Sequence, residues 1–446
     1  MNTATQTLQE LFGNQTLQAL GNFANACGVR LYLVGGSVRD LLLKRQTTDI
    51  DFALASDAIQ FAKAFADSIG ATCIALEENP STARVIVKQL DISQPPYLSM
   101  DFVQFRAPSL TEDLRLRDLT INAMALAFEN VAAVTNSTRE RNSSLVIDPC
   151  GGKKDLEIGL LQFPSEQVVR DDPLRLLRIY RFAAQLDFKI AENAIHLVTK
   201  HRALLSKIAS ERCRDELMKI FNVKKSYPYL QQMETVGLLT EVVPSIKAAD
   251  SSWKPLEAFE KNPIPMGLHA YRSEINDYLQ EKLGTEVNRR SLIKLSLLLG
   301  DNCDGIGAQL RLSRKATQFM KRLLSGGTAL KEENQQLTPK QIIRFLRTYT
   351  SDWCGVLLYT AASHPMAPTL LKEIANTYYE HILPISKQGR LLTGNDLIKH
   401  FDLKEGKQIG RLLKEIEERQ FDGEIRTREE ALTAVAALIQ QPNRFL

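Results

Sequence analysis

The chain has 446 residues, more than one ordinary hydrophobic core requires, so we expect two to four domains. A composition of 44% hydrophobic and 24% charged residues is typical of a soluble globular protein. No apolar run approaches the roughly 20 residues of a membrane helix, and the N-terminal sequence has neither the basic nor the apolar region of a secretory signal. These features argue against a membrane protein and a secreted protein, and we expect a cytoplasmic location.

Cysteine spacing and net charge limit the kinds of ligand. The six cysteines are widely separated and include no C-x-x-C pair, which argues against a zinc site or a disulfide framework. A formal net charge of +4 is compatible with an RNA ligand but is too small to indicate one by itself.

Residues 1–30 are predicted to be helical and to cover one face of a β-sheet. Their apolar side chains recur at roughly helical spacing, at Leu8, Leu11, Phe12, Leu17, Leu20 and Phe23.

The next segment is predicted to be a strand, a glycine turn and a short helix. The apolar run LYLV ends at Gly35 and Gly36, Ser37 is predicted to cap the helix, and Arg39 lies in its first turns. Glycines let the backbone approach an anion closely, and a helix N-terminus has unpaired N–H groups. The turn is therefore a candidate phosphate site.

A second strand carries two carboxylates in the sequence DID. Because Asp49 and Asp51 are two residues apart, both side chains point to the same face of a strand, where they suit Mg²⁺ shared with a triphosphate. A glycine turn alone or a DxD alone has an ordinary structural explanation. The two together, with apolar Ile50, Phe52 and Leu54 flanking the carboxylates, favour nucleotidyl transfer.

The chain continues with a helix and three strands, which predict a small α/β domain. The helix ends at Gly70, and the strands are ATCIAL, ARVIVKQLDI and, after Pro95 and Pro96, YLSMDFVQF. The last strand contains Asp101. If it neighbours the DID strand, Asp101 is a candidate third carboxylate that accepts a proton from an attacking hydroxyl in two-metal chemistry. An ordinary exposed strand aspartate is an equally good interpretation.

The segment SLTEDLRLRDLTINAMAL begins with a helix that Ser109 is predicted to cap. Arg117 is interpreted as a triphosphate contact, although an ion pair with Asp118 is an alternative. Asn122 lies in an apolar run, so its amide either fixes backbone or contacts a ribose. Farther along, an exposed polar loop is followed by DPCGG, which we interpret as a tight turn that closes this first domain.

A second chemical stretch is VVRDDPLRLLRIYRFAAQL. Pro173 is near the start of a predicted helix that Asp171 or Asp172 can cap, and arginines then recur every three residues, at Arg175, Arg178 and Arg181. A charged solvent face is the ordinary explanation. Recognition of cytosine is the more specific explanation, because the Asp172 carboxylate can accept a hydrogen bond from N4 while Arg175 donates to N3 and O2. Uracil presents a carbonyl where cytosine has that amine, so Asp172 would reject UTP.

Four motifs, in this order, resemble the class II tRNA nucleotidyltransferase and poly(A) polymerase family: GGSVRD with DID, LRDLTINAMA, DPCGGKKDL and DDPLRLLRIYRFAAQL. The resemblance runs to about residue 225 and includes SERCRDEL; a weaker similarity returns near the C-terminus. It implies an α+β fold, with a nucleotidyltransferase head of mixed sheet and helices (1–155), an all-helical neck (156–225) and an all-helical body and tail that bind tRNA (226–446).

The resemblance also assigns roles to residues. Asp49 and Asp51 would hold the catalytic Mg²⁺, and the nucleotide would be contacted around Gly36, Arg39 and Arg117. Asp172 and Arg175 would be the amino-acid template for the incoming base, supported by Arg178 and Arg181. The nucleotide-binding set predicted in full is Gly35, Gly36, Ser37, Arg39, Arg117, Asp118, Asn122, Asp172, Arg175, Arg178 and Arg181.

One departure from the family bears on specificity. Members that add all of CCA carry a longer flexible segment between the residues equivalent to Asp101 and Arg117, where this chain has only FVQFRAPSLTEDLRL. The chain therefore resembles a CC-adding member that uses CTP and leaves the terminal adenosine to a separate A-adding enzyme. The alternatives are a complete CCA-adding enzyme using CTP and ATP, an A-adding enzyme, a poly(A) polymerase, and a catalytically inactive RNA-binding protein of the same fold.

Overall fold

The computed structural model describes residues 15–45, 49–88, 97–131, 145–246, 253–300, 303, 305–332 and 337–440. The start of the predicted N-terminal helix, the Pro95-Pro96 break and the polar loop before Leu145 lie outside these ranges. The chain divides into two compact units, an N-terminal unit of residues 1–223 and 228–242 and a C-terminal unit of residues 224–227 and 243–446.

The N-terminal unit is built on a mixed seven-stranded sheet, as predicted. The strand order is β3-β4-β5-β2-β1-β6-β7. The pairing of β2 with β5 is parallel, and all other neighbours in this sheet are antiparallel. The strands are β1 (Tyr32–Val34), β2 (Asp49–Leu54), β3 (Thr72–Glu78), β4 (Ser81–Lys88), β5 (Tyr97–Gln104), β6 (Ala125–Ala127) and β7 (Val146–Ile147).

One face of this sheet is packed, and the opposite face is open near Asp49 but covered near Ala53, which packs with Leu114 of the helix Leu110–Arg115. On β2, the side chains of Ile50, Phe52 and Leu54 are fully buried, while Asp49 is exposed on the opposite face. Phe52 stacks on Phe102 of β5 with ring centroids 5.3 Å apart. This alternation is the period of two that a half-buried strand requires, so the carboxylates are held on a rigid, well-packed element.

Two helices that pack on the buried face are α1 (Gln15–Ala26) and α3 (Ala58–Ile69). Phe23 of α1 contacts Phe61 and Phe65 of α3, each at a centroid distance of 5.6 Å. Asp57 caps α3 by accepting from two backbone N–H groups. The helix ends at Gly70, as predicted, and this glycine has the left-handed conformation.

The DPCGG turn is held by local hydrogen bonds between backbone N–H groups and a side chain. The Asp148 carboxylate accepts from the N–H groups of Gly152 (2.8 Å) and Lys153 (2.9 Å). A Cβ atom at Gly152 would lie 1.9 Å from the carbonyl oxygen of Thr120, so only glycine fits. The turn is architectural, as predicted.

The remainder of the N-terminal unit is mostly helical but not wholly so. The prediction of an all-helical neck is wrong in one detail, because β8 (Leu160–Leu161) and β9 (Lys189–Ile190) form a parallel two-stranded sheet. The helices of this unit not yet given are α2 (Gly36–Leu42), α4 (Leu110–Arg115), α5 (Gly152–Ile158), α6 (Glu166–Asp171), α7 (Arg175–Leu186), α8 (Glu192–His201), α9 (Ser210–Asn222), α10 (Tyr227–Thr235, whose first residue is grouped with the C-terminal unit) and α11 (Leu238–Val242).

The C-terminal unit is also mostly helical, with one small hairpin of β10 (Lys282–Gly284) and β11 (Val287–Asn288). Among the described residues, no helix has the length and apolar character needed to cross a membrane. The helices are α12 (Trp253–Lys261), α13 (Arg272–Gln280), α14 (Arg289–Leu299), α15 (Ile306–Gln309), α16 (Arg314–Glu332), α17 (Pro339–Tyr349), α18 (Trp353–Ser363), α19 (Pro368–Asn376), α20 (Leu383–Gln388), α21 (Gly394–Phe401), α22 (Lys407–Phe421) and α23 (Arg428–Ile439).

The last three helices share a hydrophobic core of their own. Leu397, Leu412, Ile416 and Val435 are buried in it. The C-terminal segment is therefore a packed helical substructure, more than a solvated helical pair.

A buried ion pair lies inside the C-terminal unit. Lys294 Nζ is 2.7 Å from Glu260 Oε1, and the two side chains are 2% and 5% exposed. Glu260 also accepts from the backbone N–H groups of Ser226 and Tyr227, so both of its oxygens are engaged. Burial lowers the pKa of Lys294 to about 8 against the opposing effect of Glu260.

We expect Lys294→Ala to lower the free energy of unfolding of the C-terminal unit by about 3–5 kcal/mol, because the Glu260 carboxylate would be left buried without its cation. Both tryptophans, Trp253 and Trp353, are in this unit, so urea unfolding followed by tryptophan fluorescence reports on it.

The matched control is Lys261→Ala, which removes an exposed ion pair with Glu257. It should change stability by less than about 1 kcal/mol. Equal effects of the two substitutions would contradict a structural role for the buried pair.

Candidate active site

The glycine turn between β1 and α2 adjoins two charged side chains. Gly35 has φ +63° and ψ −132°, and a Cβ atom there would lie 3.0 Å from Arg117 Nη1 and 3.7 Å from Asp51 Oδ2. The turn backbone therefore lies beside a guanidinium and a carboxylate, and the positive φ angle favours glycine there.

The predicted cap of α2 is wrong. The helix begins at Gly36 with Gly35 in the cap position, and no side chain caps it. The Ser37 hydroxyl instead accepts from the backbone N–H of Asp51 at 2.8 Å. Ser37 is 1% exposed and fastens the turn to the strand that carries the carboxylates.

The predicted carboxylates lie on neighbouring strands. β5 runs parallel to β2, with Asp101 directly opposite Asp51 and Ser99 opposite Asp49. Burial, with Asp101 and Asp49 nearby, raises the pKa of Asp51 to about 6, although Arg117 and Arg39 act in the opposite direction. Negative charge therefore accumulates on this face of the sheet, where a cation would be favoured.

The donor set at this face suits Mg²⁺ shared with a substrate. In the part of the chain that the structure describes, no three potential ligand side chains gather into a ready-made metal cluster. Mg²⁺ commonly takes one or two protein carboxylates and completes its shell with phosphate oxygens and water. Asp49 and Asp51 fit that pattern.

Asp101 is engaged by an arginine that the sequence reasoning did not single out. Arg84 of β4 donates from Nε and Nη2 to the two Asp101 oxygens, both at 2.7 Å. The Asp101 side chain is 18% exposed, so it is neither a freely solvated aspartate nor an unpartnered one.

A chain of side-chain hydrogen bonds runs from α2 to α7. Arg39 donates from Nη1 to the Asn122 oxygen at 2.8 Å, and the Asn122 amide donates to Asp118 at 3.0 Å. Arg178 completes the chain by donating from Nε to Asp118 at 2.9 Å. Burial alone would raise the pKa of Asp118, but Arg178 and Asn122 hold it well below its usual range. Asn122 is 5% exposed, and it links Arg39 to Arg178 through Asp118.

Arg117 pairs with Asp113 and not with its neighbour Asp118. Its Nη2 lies 3.2 Å from an Asp113 oxygen, and Arg106 donates to the other oxygen at 2.9 Å. Asp113 is 1% exposed on α4, which Ser109 caps as predicted. The short segment between Asp101 and Arg117 is thus folded and fastened to Arg117.

The DDPLR stretch differs locally from its prediction. Asp171 ends α6, and α7 begins at Arg175 with no side-chain cap. Asp172 lies in the turn between them and accepts from the Leu174 N–H at 3.3 Å. Neither aspartate caps α7, because the turn at Pro173 delays the start of the helix to Arg175, two residues after the start that a cap at Asp172 would give.

Two side chains of α9 contact α7 and the turn before it, while Arg175 contacts backbone carbonyls. Arg181 Nε is 2.6 Å from Glu216, and Arg212 donates to Asp172 at 3.2 Å. Arg175 donates from Nη1 to the Val168 carbonyl at 3.0 Å, and Arg117 O lies 3.5 Å from the same nitrogen. The predicted base-recognition pair therefore adjoins the backbone of the predicted triphosphate contact. The sequence analysis did not single out Arg212 or Glu216. Both belong to SERCRDEL, and the family resemblance of that segment is the feature that could have pointed to them.

Three family models match successive parts of the chain. Residues 31–162 match "Poly A polymerase head domain", residues 187–250 match "Probable RNA and SrmB- binding site of polymerase A", and residues 293–436 match tRNA nucleotidyltransferase domain 2. The first match contains the glycine turn and all three carboxylates.

Similar proteins extend over nearly the whole chain. A CC-adding tRNA nucleotidyltransferase of Geobacter sulfurreducens is 29% identical over 92% of this chain and 93% of its own length. A CCA-adding enzyme of Enterococcus faecalis is 27% identical over 92% and 93%. A solved structure of a CCA-adding enzyme with CTP shares the fold, with a TM-score of 0.68, 22% identity and coverage of 98% and 99%.

Proposed function

The chain belongs to the class II tRNA nucleotidyltransferase and poly(A) polymerase family, and on that premise we propose that it adds cytidines to the 3′ end of tRNA from CTP without a nucleic-acid template. The observation that carries the proposal is the register of β2 and β5. It places Asp51 opposite Asp101, on a sheet face that also adjoins the Gly35 turn and Arg117.

The triphosphate is proposed to lie along the Gly35-Gly36 turn. The Arg117 guanidinium lies next to Gly35, and Arg39 donates hydrogen bonds to Asn122 and Asp40. Guanidinium groups on fixed supports bind phosphate oxygens through two parallel donors. Ser37, Asp118 and Asn122 would support this site through the contacts described above, and direct nucleotide contacts by them stay predictions.

Asp49 and Asp51 would hold Mg²⁺, which supplies positive charge to the reacting phosphate and the leaving pyrophosphate when bound. Asp101 is proposed to accept a hydrogen bond from the tRNA 3′-hydroxyl and so orient it toward the α-phosphate of CTP. The neighbouring parallel strands keep the metal-binding and hydroxyl-orienting carboxylates at a fixed separation. The two-metal form of this chemistry stays a prediction.

Base choice is assigned to Asp172 and Arg175. Asp172 accepts from one backbone N–H and from Arg212, which leaves lone pairs for cytosine N4. Arg175 uses Nη1 for the Val168 carbonyl and keeps other N–H groups for N3 and O2. Arg178 and Arg181 are fixed by Asp118 and Glu216 and would support the pair from α7.

The folded segment before Arg117 supports addition of CC only. Its helix α4 is capped by Ser109, and Asp113 joins Arg106 to Arg117, so the segment is short and internally fastened. In the family that the chain resembles, members that add all of CCA carry a longer, flexible segment at this place, which the change from CTP to ATP uses. The complete CCA-adding alternative is favoured by the Enterococcus relative, whose similarity has nearly the same extent. A CC-adding enzyme would act before a separate A-adding enzyme.

We propose that residues 1–155 are the catalytic head, 156–225 the base-recognition neck, and 226–446 the tRNA-binding body and tail. Incorporation of labelled CTP into tRNA that lacks its terminal CCA tests the activity. If the protein is the proposed enzyme, it incorporates labelled cytidine and needs Mg²⁺ to do so. If it is a non-catalytic RNA-binding protein, it retains the tRNA on a filter and incorporates no label.

A further inference from the structure

One cationic side chain stands among the carboxylates of the open sheet face. Arg84 lies on β4, and the strand register places it directly opposite Asp101, which in turn lies opposite Asp51. Its side chain is 40% exposed, and its guanidinium interacts electrostatically with Asp49 and Asp51 as well as with Asp101. It is therefore part of the charged row across the sheet.

The contact between Arg84 and Asp101 fixes an orientation. Two parallel hydrogen bonds of 2.7 Å define the plane of the carboxylate, which a single point charge would not do. Each carboxylate oxygen has two lone pairs, so one on each oxygen stays available for a hydroxyl or a metal-bound water. The Asp101 carboxylate is held by the protein and still able to accept.

We propose that Arg84 is a positioning residue for the nucleotidyl transfer, acting through Asp101 to aim its carboxylate at the tRNA 3′-hydroxyl. This inference rests on the proposed function. Without the guanidinium fork, the Asp101 side chain is free to rotate and is repelled by Asp51 and Asp49 on the neighbouring strand. The hydroxyl would then be oriented in only a fraction of the bound complexes.

The test is steady-state CTP addition by the full-length protein with Arg84→Met, Arg84→Lys, Asp101→Asn and the double variant of Arg84→Met with Asp101→Asn. Arg84→Met should lower kcat about 10- to 100-fold, the scale of a misplaced catalytic group, and leave the KM values for CTP and tRNA within about twofold. Arg84→Lys keeps the charge but not the fork and should recover part of the loss.

The double variant separates a positioning role from a direct one. If Arg84 acts through Asp101, Arg84→Met should cause no further loss once Asp101 is asparagine. A full additional loss in that background, or a rise in KM for tRNA, would overturn the proposal in favour of direct contact with RNA phosphate. Normal turnover in Arg84→Met or in Asp101→Asn would also overturn it.

The control is Arg30→Met, which removes a two-bond arginine–carboxylate pair with Glu129 at an exposed position of the same unit. It should keep parental turnover. Activity of the parent and of this control reports on the proposed function itself, so failure of the Arg84 series is distinguishable from failure of the assignment. Thermal unfolding of each variant reports whether the unit is folded.

Discussion

Turnover for CTP addition is expected to fall on the order of 10³-fold or more when either Asp49 or Asp51 is replaced by asparagine, while tRNA binding stays near the parental level. Asparagine keeps the size of the side chain and removes the charge that would hold Mg²⁺. The strand itself should survive, because its buried residues Ile50, Phe52 and Leu54 are untouched. Single-turnover incorporation and filter binding of tRNA measure the two properties separately.

The matched control for these variants is Asp67→Asn on α3. Asp67 is an exposed aspartate on the helix that covers the other face of the sheet, so the same loss of charge occurs away from the site. It should leave turnover unchanged. Near-normal turnover in Asp49→Asn or Asp51→Asn would remove the basis for the metal assignment.

Replacing Asp172 with alanine is expected to reduce the preference for CTP over UTP by about 10- to 100-fold, the discrimination that one good side-chain pair with a base edge provides. The parent is expected to reject UTP because the Asp172 carboxylate would face the uracil O4 carbonyl. Alanine removes that repulsion together with the acceptor for cytosine N4. The ratio of kcat/KM for CTP and UTP, measured in competition, reports the change.

Asp171→Ala supplies a neighbouring control. Its carboxylate is exposed at the end of α6 and accepts from Gln167. This variant should keep the parental preference. A strict preference that persists in Asp172→Ala, or an equal loss in both variants, would refute the template role of Asp172.

The sequence was informative where local periodicity decides the structure. Alternation along DID predicted that Asp49 and Asp51 share a face, and the strand Asp49–Leu54, with Phe52 buried on the opposite face, confirms it. Apolar residues at helical spacing likewise share one face of α7, where Leu177 and Tyr180 are in the core. These outcomes depend only on the period of a strand or a helix.

Local periodicity could not predict the order of the strands in the sheet or the contacts between residues far apart in the sequence. Periodicity places Asp101 on a face of its strand but does not say which strand lies beside it, and the parallel pairing of β2 with β5 is a property of the whole sheet. Arg84 became informative only through the pairing of β4 with β5, which places it opposite Asp101. Glu216 follows Arg181 by 35 residues, so no local pattern could join them.

Two errors came from helix ends. The helix α2 begins at Gly36, two residues before the start that a cap at Ser37 would give, and the turn at Pro173 delays α7. In both places a polar side chain expected to cap a helix has another contact: Ser37 accepts from Asp51, and Asp172 lies in a turn near Arg212. Capping residues and site residues are drawn from the same chemical types, so the sequence could not separate the two uses.

The most direct test of the proposed function is the length of the product made on tRNA that ends at its discriminator base. The protein would be offered CTP alone, ATP alone, and both together, with the products resolved at single-nucleotide length. A CC-adding enzyme extends the tRNA by two cytidines with CTP, whether or not ATP is present, and does not use ATP alone. Addition of a third nucleotide when both are present, or no extension with CTP, would contradict the account.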